Sequence, residues 1–597
     1  MSFPGPVTAL VDFRSPDPEN GVPALRLAFG APMARLRATR HDEVAPLLDA
    51  VAAHAREGRW CVGSLRYEAA AAFDRALVTH EVDGPLASFA VYDAPLAADD
   101  PAALAAWAPA GSAARVDWHG GFERAAFDAA IARIHAAIAD GDYYQVNLTA
   151  PLRGRLEGDP FALFAALRRA QPGAYAALLA FDDAESVLSV SPELFFDWRD
   201  GRLLARPMKG TAPRGATPAE DAENAARLAA SEKERAENLM IVDLLRNDLS
   251  RVAEPRSVTV PRLFETRAWP TVWQMSSDVV ACTRAVVRLR DVFGALFPCG
   301  SVTGAPKVRS MRAIRALETA PRGVYCGAVG VVAPGGAATF NVPIRTLALR
   351  GDAATCGIGS GITADAGAEG EWAEWRHKRA FVDRASHAFE LLETLRLEEG
   401  AFVNGEAHLA RLAGAAAHFG FEARDEAARE ALAALARAHP RGTWRVRLLV
   451  DAGGRARGEA HAFAADVAAS PGARPLVRLA AAPLVGSDSE FVRHKTTRRA
   501  HYDAFAPAAG DPTVFDVLLW NERGELTEFT RGNVAVRLGG RWYTPPLSCG
   551  LLPGVGRAVA LAERRVAERV LPVESLAEAD ELAFLNSLRG WVTVRIA

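Results

Sequence analysis

The chain has 597 residues, of which 50% are hydrophobic and 24% charged, so it exceeds one hydrophobic core and is too apolar to be disordered. Its net charge of -3 predicts no general affinity for nucleic acid or anionic membranes. The six cysteines are scattered without a CxxC pair, which is typical of reduced cytosolic thiols, and the start MSFPGPVTALVDF lacks a signal-peptide pattern. We therefore expect a cytoplasmic protein that binds neither nucleic acid nor membrane.

The first series of predicted elements occupies the N-terminal two thirds of the chain. Apolar residues recur at helical spacing over 122–140, and the block YYQVNLTAPL that follows is typical of a strand. Ser231 opens SEKE, which matches a capping box, and a helix is predicted from there through Leu249. Short strands separated by glycines occupy 325–362, and a closing helix is predicted to begin near Glu371.

A second series begins at about residue 388. FELLETLRLEEGAFVNGE predicts a strand pair with a turn, and a helix containing HLARLAGAAAHFGF follows. No Pro- or Gly-rich linker separates the two series. We place the boundary where one set of motifs stops and the next starts, which gives domains 1–386, with its catalytic motifs in 120–386, and 387–597.

Acidic and basic side chains form several clusters in the first domain. The clusters SPELF, RPMKGT, KERAEN and GEWAEWRHK contain Glu193, Lys209, Glu237, Glu371, Glu374 and Lys378. The last three share one helix face, because they stand three and four residues apart. Carboxylates from two separate helices are the oxygen ligands that Mg²⁺ prefers. Seen alone, GEWAEWRHK would instead be interpreted as a solvated helix face with Glu–Lys pairs.

These clusters do not occur alone. Together with PCGSVTGAPKVRSM, RGVYCGAVG and FNVPIRTL, in this order over about 55–385, they closely resemble the chorismate-utilising enzymes, most specifically component I of aminodeoxychorismate synthases. The resemblance implies a multidomain α/β and α+β protein whose first domain is a chorismate-binding β-sandwich with flanking helices. It also implies Mg²⁺, held by Glu237, Glu371 and Glu374.

The same resemblance implies roles for other residues of the first domain. In the relatives that make anthranilate, the position equivalent to Lys209 looks like Ala. The resemblance therefore implies that the lysine amine itself attacks chorismate, with Glu193 as the general acid. Substrate contacts are implied for Thr303, Tyr325, Arg345, Gly359, Gly361 and Lys378. Gln274 departs from the family, because many relatives carry His at that position.

The C-terminal motifs point to a second cofactor. A lysine in a basic run such as RHKTTRR is usually solvated, but here it accompanies HLARL, TEFTRGN and LLPGVGR. Over 388–597 this set resembles the fold-type IV pyridoxal-phosphate enzymes, which include D-amino-acid-aminotransferase-like proteins, branched-chain aminotransferases and aminodeoxychorismate lyases. The resemblance implies that Lys495 holds pyridoxal 5'-phosphate covalently and acts as a base. Further cofactor contacts are implied for Arg411, Glu528, Asn533, Val555 and Gly556.

The two resemblances together favour one bifunctional enzyme. Chorismate would be aminated to 4-amino-4-deoxychorismate, and elimination of pyruvate would then give 4-aminobenzoate for folate. The alternatives are an anthranilate-type synthase fused to an amino-acid aminotransferase, and a degenerate regulatory scaffold. No cysteine lies in a Gly-rich elbow followed by His and Glu, so ammonia is expected from a separate glutamine amidotransferase. The C-terminal resemblance also implies a homodimer through that domain.

Overall fold

A computed structural model describes residues 7–98, 113–182, 185–215, 218–269, 272–422, 424–463, 474–487, 489–507 and 513–597. The chain forms two compact units, Met1–Ala388 and Phe389–Ala597. No helix in the described ranges is long and apolar enough to cross a membrane.

Two large sheets build the first unit. Along the first sheet the strands follow the order Gly304–Ala305, Gln145–Gly158, Ala353–Ile362, Thr346–Arg350, Glu185–Ser191, Tyr175–Asp182, Ala9–Phe13, Leu25–Phe29 and Ala97–Ala98, with Ala114–Val116 and His119–Gly120 also pairing with Gln145–Gly158. Along the second sheet the order is Met208–Pro213, Val272–Cys282, Arg202–Arg206, Leu194–Arg199, Ala338–Asn341, Ala328–Val332, Trp60–Leu65, Ala87–Tyr92 and Ala34–Ala38, with Thr259–Ala268 pairing with Val272–Cys282.

The two sheets pack face to face because alternate residues of both are apolar. One buried cluster combines Val11, Tyr175 and Leu179 of the first sheet with Val62 and Val329 of the second. Burial of such aliphatic and aromatic side chains contributes about 1.5–3 kcal/mol each. This shared core is the interior of a β-sandwich.

Helices cover the outer face of each sheet. One cluster packs Phe127, Leu163 and Val382 against the first sheet, and another packs Leu48 and Ile241 against the second. The helices of this unit are His41–Arg56, Arg124–Ala139, Pro160–Ala170, Pro218–Ala230, Glu232–Ser250, Leu289–Leu296, Lys307–Leu317 and Ala368–Ala385, and the short 3-10 helices are Pro18–Asn20, Tyr67–Ala72 and Gly300–Val302. The closing helix begins at Ala368, before the predicted start near Glu371, and Gly367 occupies its N-cap position.

The second unit contains two smaller sheets. The four-stranded sheet has the order Ala401–Phe402, Leu391–Glu398, Thr443–Val450 and Ala456–Ala462. The eight-stranded sheet has the order Leu526–Phe529, Asp516–Trp520, Leu476–Leu479, Gly590–Ile596, Glu581–Asn586, Gly532–Leu538, Arg541–Thr544 and Ala567–Glu568. The helices are Gly405–Phe419, Asp425–Ala438, Glu490–Arg493, Ala500–Asp503 and Val555–Ala562, with 3-10 helices Leu547–Cys549 and Val573–Glu578.

Candidate active sites

A glycine face on the strand Ala353–Ile362 builds the first site. The apolar residues Cys356 and Ile358 pack toward the helices, so the alternating glycines lie on the opposite face, toward the second sheet. A Cβ added to Gly357 would lie 2.3 Å from the Tyr325 ring, and one added to Gly359 would lie 2.3 Å from the Leu148 carbonyl oxygen. Only glycine permits these close approaches.

Lys209 reaches this glycine face from the other sheet. A Cβ on Gly361 would lie 2.6 Å from Lys209 Nζ and 2.7 Å from Gln145 Nε2, so the two side chains meet at this glycine. Gln145 is completely buried, and neither amide atom has a hydrogen-bond partner within the described ranges. The sequence motifs did not indicate Gln145. Its one signal was an amide in the middle of the apolar strand block YYQVNL.

The predicted metal ligands lie close to Lys209, and each has a partner. Lys209 Nζ is 3.9 Å from Glu237 Oε2, and Lys378 Nζ is 2.6 Å from Glu374 Oε1. Ser360 Oγ donates a hydrogen bond of 2.5 Å to Glu371 Oε2. The predicted residues of two helices and one strand are therefore brought together.

Glu234 belongs to the same group of carboxylates, although the sequence pattern assigned it to a capping box. Ser231 Oγ does accept from the Glu234 N–H at 3.3 Å, but the Ser231 N–H donates to the Leu228 carbonyl at 3.2 Å. The Glu234 carboxylate therefore lacks its capping partner and lies near Glu237 and Glu374. Burial first, and then these two negative charges, raise the pKa of Glu234.

Four carboxylates from two helices suit a hard divalent cation. Burial, followed by the charge of Glu374, also raises the pKa of Glu371, as expected where like charges share a small volume. The described part of the chain contains no group of three or more His, Cys, Asp or Glu arranged to hold a metal, and Lys209 and Lys378 pair with two of these carboxylates. The donor chemistry nevertheless fits Mg²⁺, which takes oxygen ligands.

Glu193 lies on the floor of this site. Its side chain is buried and its Oε1 atom has no hydrogen-bond partner in the described ranges. Burial raises the pKa of Glu193 to about 7, against a hydrogen bond from Ser301 and the positive charge of Lys209, which lower it. A carboxyl group that is partly protonated near neutral pH can donate a proton.

The side chains predicted to bind the substrate differ in whether other groups of the protein already engage them. Burial lowers the pKa of Arg345 to about 10, and its guanidinium lies 5.9 Å from the centroid of the Phe381 ring. Lys378 Nζ donates to the Gly359 carbonyl at 3.1 Å. The Thr303 hydroxyl donates to the Cys299 carbonyl at 3.0 Å, so it is engaged in its own turn rather than directed outward.

Lys495 is the centre of the second site. It is the only lysine after residue 388, in a segment otherwise rich in arginine. The rarity of lysine in this segment could have indicated Lys495 from the sequence. Burial, followed by the charges of Arg499 and Arg411, lowers the pKa of Lys495 to about 7. An amine with such a pKa is partly neutral at physiological pH and can act as a nucleophile or base.

Glu528 is buried near Lys495, and its carboxylate accepts several hydrogen bonds. It accepts hydrogen bonds from the Tyr502 hydroxyl at 2.6 Å and from the Leu552 N–H at 3.0 Å. Asn533 Nδ2 donates to Glu528 Oε2 at 3.3 Å and to the Leu552 carbonyl at 2.9 Å. Burial raises the pKa of Glu528 to about 7. Tyr502 was not predicted.

Arg411 pairs with Glu393, a residue that the sequence motifs did not indicate. Its Nε and Nη2 atoms donate to the two carboxylate oxygens of Glu393 at 2.8 and 2.6 Å, and Nη1 donates to the Pro553 carbonyl at 3.1 Å. His408 Nδ1 lies 2.7 Å from Glu393 Oε2, and its Nε2 atom lies 2.9 Å from Ser587 Oγ. This network holds Arg411 against the Gly-rich turn.

The turn before the helix Val555–Ala562 has the shape of an anion cradle. A Cβ on Gly554 would lie 1.9 Å from Asn533 Oδ1, and one on Gly556 would lie 2.7 Å from the Asn586 carbonyl carbon. A side chain at residue 556 would therefore require the Asn586–Ser587 backbone to move. The free N–H groups of the helix start, Arg411 and the Ser587 hydroxyl are donors that fit a phosphate, and Lys495 with Glu528 fits a pyridoxal ring.

Both the N-terminal and the C-terminal part of the chain match known protein families. Residues 17–384 match the family described as chorismate binding enzyme, and residues 390–597 match the family described as amino-transferase class IV. Aminodeoxychorismate synthase component 1 of Klebsiella aerogenes is 40% identical over 299 residues, which are 49% of this chain and 65% of the relative. Aminodeoxychorismate synthase of Streptomyces pristinaespiralis is 50% identical over 230 residues, which are 38% of this chain and 32% of the relative.

Among solved structures, anthranilate synthase component I from Streptococcus pneumoniae TIGR4 aligns with a TM-score of 0.52 at 23% identity, over 64% of this chain and 95% of that protein. At this identity the likeness shows the fold alone. The predicted multidomain fold class, with a chorismate-binding first domain, is confirmed. The chain spans 65% of the Klebsiella relative and 32% of the Streptomyces relative.

Proposed function

The chain belongs to the family of chorismate binding enzymes and ends in a class IV aminotransferase segment, and from this we propose that it converts chorismate into 4-aminobenzoate. The first unit would aminate chorismate, and the second would eliminate pyruvate from the aminated product. The observation that carries the proposal is the meeting of Lys209 with the carboxylates and with the glycine face.

In the amination step Lys209 Nζ would attack C2 of chorismate while the 4-hydroxyl departs. Glu193 would protonate this hydroxyl so that it leaves as water. Ammonia would then add at C4 and expel the lysine amine. Arg345 and Tyr325 would bind a substrate carboxylate, a task that suits the guanidinium fork. Mg²⁺, held by Glu237 and Glu374 with Glu371 and Glu234 beside them, would neutralise the other carboxylate.

The metal assignment predicts a larger Mg²⁺ requirement in two variants. Glu237→Gln and Glu374→Gln should each raise the Mg²⁺ concentration for half-maximal chorismate consumption roughly tenfold or more, because an amide is a weaker ligand than a carboxylate. Glu369→Gln is the matched control, since Glu369 lies on the same helix as Glu374, is exposed and pairs with Arg124 at 2.8 Å. Unchanged titrations for both test variants would place the ligands elsewhere.

The role of Glu193 predicts a pH dependence. Its carboxyl group is protonated below its pKa of about 7, so amination should slow as pH rises through that value. Glu193→Gln should be slower by about a hundredfold or more and should lack this alkaline limb. Ser301→Ala should move the limb to higher pH, because the Ser301 hydrogen bond lowers the pKa. A limb that persists unchanged in Glu193→Gln would belong to another group.

Ammonia would come from a separate glutamine amidotransferase. The relative from Klebsiella aerogenes is named as component 1, which supports a two-component system. Five of the six cysteines are buried, and Cys282, the exposed one, lies at the end of a strand rather than in a Gly-rich elbow. Ammonium salt should replace glutamine when the chain is assayed alone.

In the elimination step the residues around Lys495 would process the aminated product. Pyridoxal phosphate, when bound, supplies an electron sink, and Glu528 would keep its ring nitrogen protonated. Lys495 would hold the cofactor, remove the C4 proton and thereby permit pyruvate to leave. Arg411, Ser587 and the Gly554–Gly556 turn would bind the phosphate. By the same family likeness we propose that the second unit forms a homodimer.

The decisive experiment is incubation of the full chain with chorismate, Mg²⁺, pyridoxal phosphate and ammonium salt, with identification of products. We expect 4-aminobenzoate and pyruvate. Anthranilate, or no consumption of chorismate, would refute the amination proposal. Accumulated aminodeoxychorismate together with transamination of amino acids would support the aminotransferase alternative, which the description of the C-terminal family also permits.

A further inference from the structure

The turn between the strands Glu581–Asn586 and Gly590–Ile596 borders the cofactor cradle. A Cβ on Gly556 would lie 2.9 Å from Asn586 Cα and 3.0 Å from Ser587 N, and Ser587 Oγ contacts His408 at 2.9 Å. The residues that follow in this turn therefore belong to the wall of the second site. None of them was singled out by the sequence analysis.

Asn586 holds two arginines in place beside this wall. Its Oδ1 atom accepts from the Arg589 N–H at 2.7 Å and from the Leu588 N–H at 3.1 Å, and its Nδ2 atom donates to the Arg531 carbonyl at 3.0 Å. Thr530, adjacent to Arg531, accepts from Arg499 Nη2 at 2.8 Å. Among the charges around Lys495, that of Arg499 has the largest effect on its pKa, so the backbone that carries the two arginines adjoins the surroundings of the reacting lysine.

The Arg589 guanidinium carries positive charge that its surroundings do not neutralise. It lies 5.0 Å from the centroid of the Phe463 ring and 5.8 Å from that of Phe515, and in the described ranges no carboxylate is bonded to it. Burial, and then the charges of Arg531 and Arg445, lower the pKa of Arg589. An apolar floor below an excess of guanidinium groups is a favourable environment for an anion.

The carboxylate that acts on Arg589 is that of Asp516, which already pairs with Arg531. Asp516 is completely buried, accepts from the Thr530 hydroxyl at 2.6 Å and pairs with Arg531 Nε at 3.1 Å. Arg445 is exposed on the strand Thr443–Val450. The charges that act on Arg589 are thus those of two other guanidinium groups and of one carboxylate whose oxygens are occupied.

We infer that Arg589, with Arg531 beside it, forms a carboxylate subsite that selects a dicarboxylate substrate in the second active site. This inference rests on the proposed function, because aminodeoxychorismate retains both carboxylates of chorismate while simple amino acids such as alanine have one. The cofactor reaction engages the amine and the ring, which leaves the carboxylates for the protein to recognise. Arg589 is accordingly a specificity-determining residue.

The test compares Arg589→Met with Arg589→Lys in the full chain loaded with pyridoxal phosphate. The probe is the enolpyruvyl ether of 3-hydroxybenzoate, a stable aromatic dicarboxylate, and benzoate is the monocarboxylate reference. Arg589→Met should weaken binding of the dicarboxylate roughly tenfold to a hundredfold, measured by inhibition and by the change in cofactor absorbance. Benzoate binding should change less than about threefold, and Arg589→Lys should restore part of the loss.

Arg565→Met is the matched control, because Arg565 lies 4.0 Å from the centroid of the Trp591 ring and outside the cluster. It should bind both probes as the wild type does. For aminodeoxychorismate itself, Arg589→Met should raise KM more than it lowers kcat. Wild-type dicarboxylate binding by Arg589→Met would overturn the subsite, whereas a wild type that makes no 4-aminobenzoate from aminodeoxychorismate would overturn the proposed function. Thermal unfolding and cofactor content verify that each variant is folded.

Discussion

Lys209→Ala should reduce formation of aminodeoxychorismate roughly a thousandfold or more, because the lysine is the proposed covalent nucleophile and no other amine can replace it in the same position. The site should stay assembled, since the lysine is one of several cations among the carboxylates. Some direct attack of ammonia at C2 should remain and yield anthranilate. Product identification by chromatography after incubation with chorismate, Mg²⁺ and ammonium salt measures both outcomes.

Lys233→Ala is the control for this variant. Lys233 Nζ lies 4.0 Å from Glu237 Oε1 and its side chain is half exposed, so it shares the carboxylate neighbour of Lys209 without reaching the glycine face. We expect it to retain amination within a few-fold of the wild type. Aminodeoxychorismate formation at the normal rate by Lys209→Ala would remove the covalent mechanism.

Lys495→Ala should abolish 4-aminobenzoate formation while chorismate consumption continues, because the two reactions use different units. The variant should lose the visible absorbance of protein-bound cofactor, and aminodeoxychorismate should accumulate. Addition of an independent lyase should then restore 4-aminobenzoate. In the wild type, borohydride reduction followed by peptide mapping should label Lys495 alone among residues 389–597, since this segment has no other lysine.

Two further variants distinguish the covalent role of Lys495 from the effect of its positive charge. Lys495→Arg keeps a cation but cannot form the covalent link, so it should resemble the alanine variant. Arg493→Ala removes an exposed cation from the same basic run and should behave as the wild type. Wild-type 4-aminobenzoate formation by Lys495→Ala would show that another residue carries the reaction.

Sequence patterns predicted several parts of the candidate sites, whereas other parts became visible only in the folded structure. The glycines in ATCGIGSGI indicated a strand region whose backbone can approach a ligand closely, but no pattern indicated that Lys209 would meet Gly361 beside Gln145. The capping-box pattern was half right, because Ser231 caps the helix while Glu234 joins the carboxylates. Local patterns report local hydrogen bonds and cannot show which distant group competes for them.

The sequence by itself determined the two families of motifs, the predicted elements and the identity of both candidate lysines. Those conclusions depend on residue order and on local periodicity, which a single chain displays without folding. Tertiary structure alone decided which side chains meet across sheets, and it decided the pKa values of about 7 for Glu193, Lys495 and Glu528. Those values arise because burial penalises charge, and burial depends on packing between segments that lie far apart in the chain.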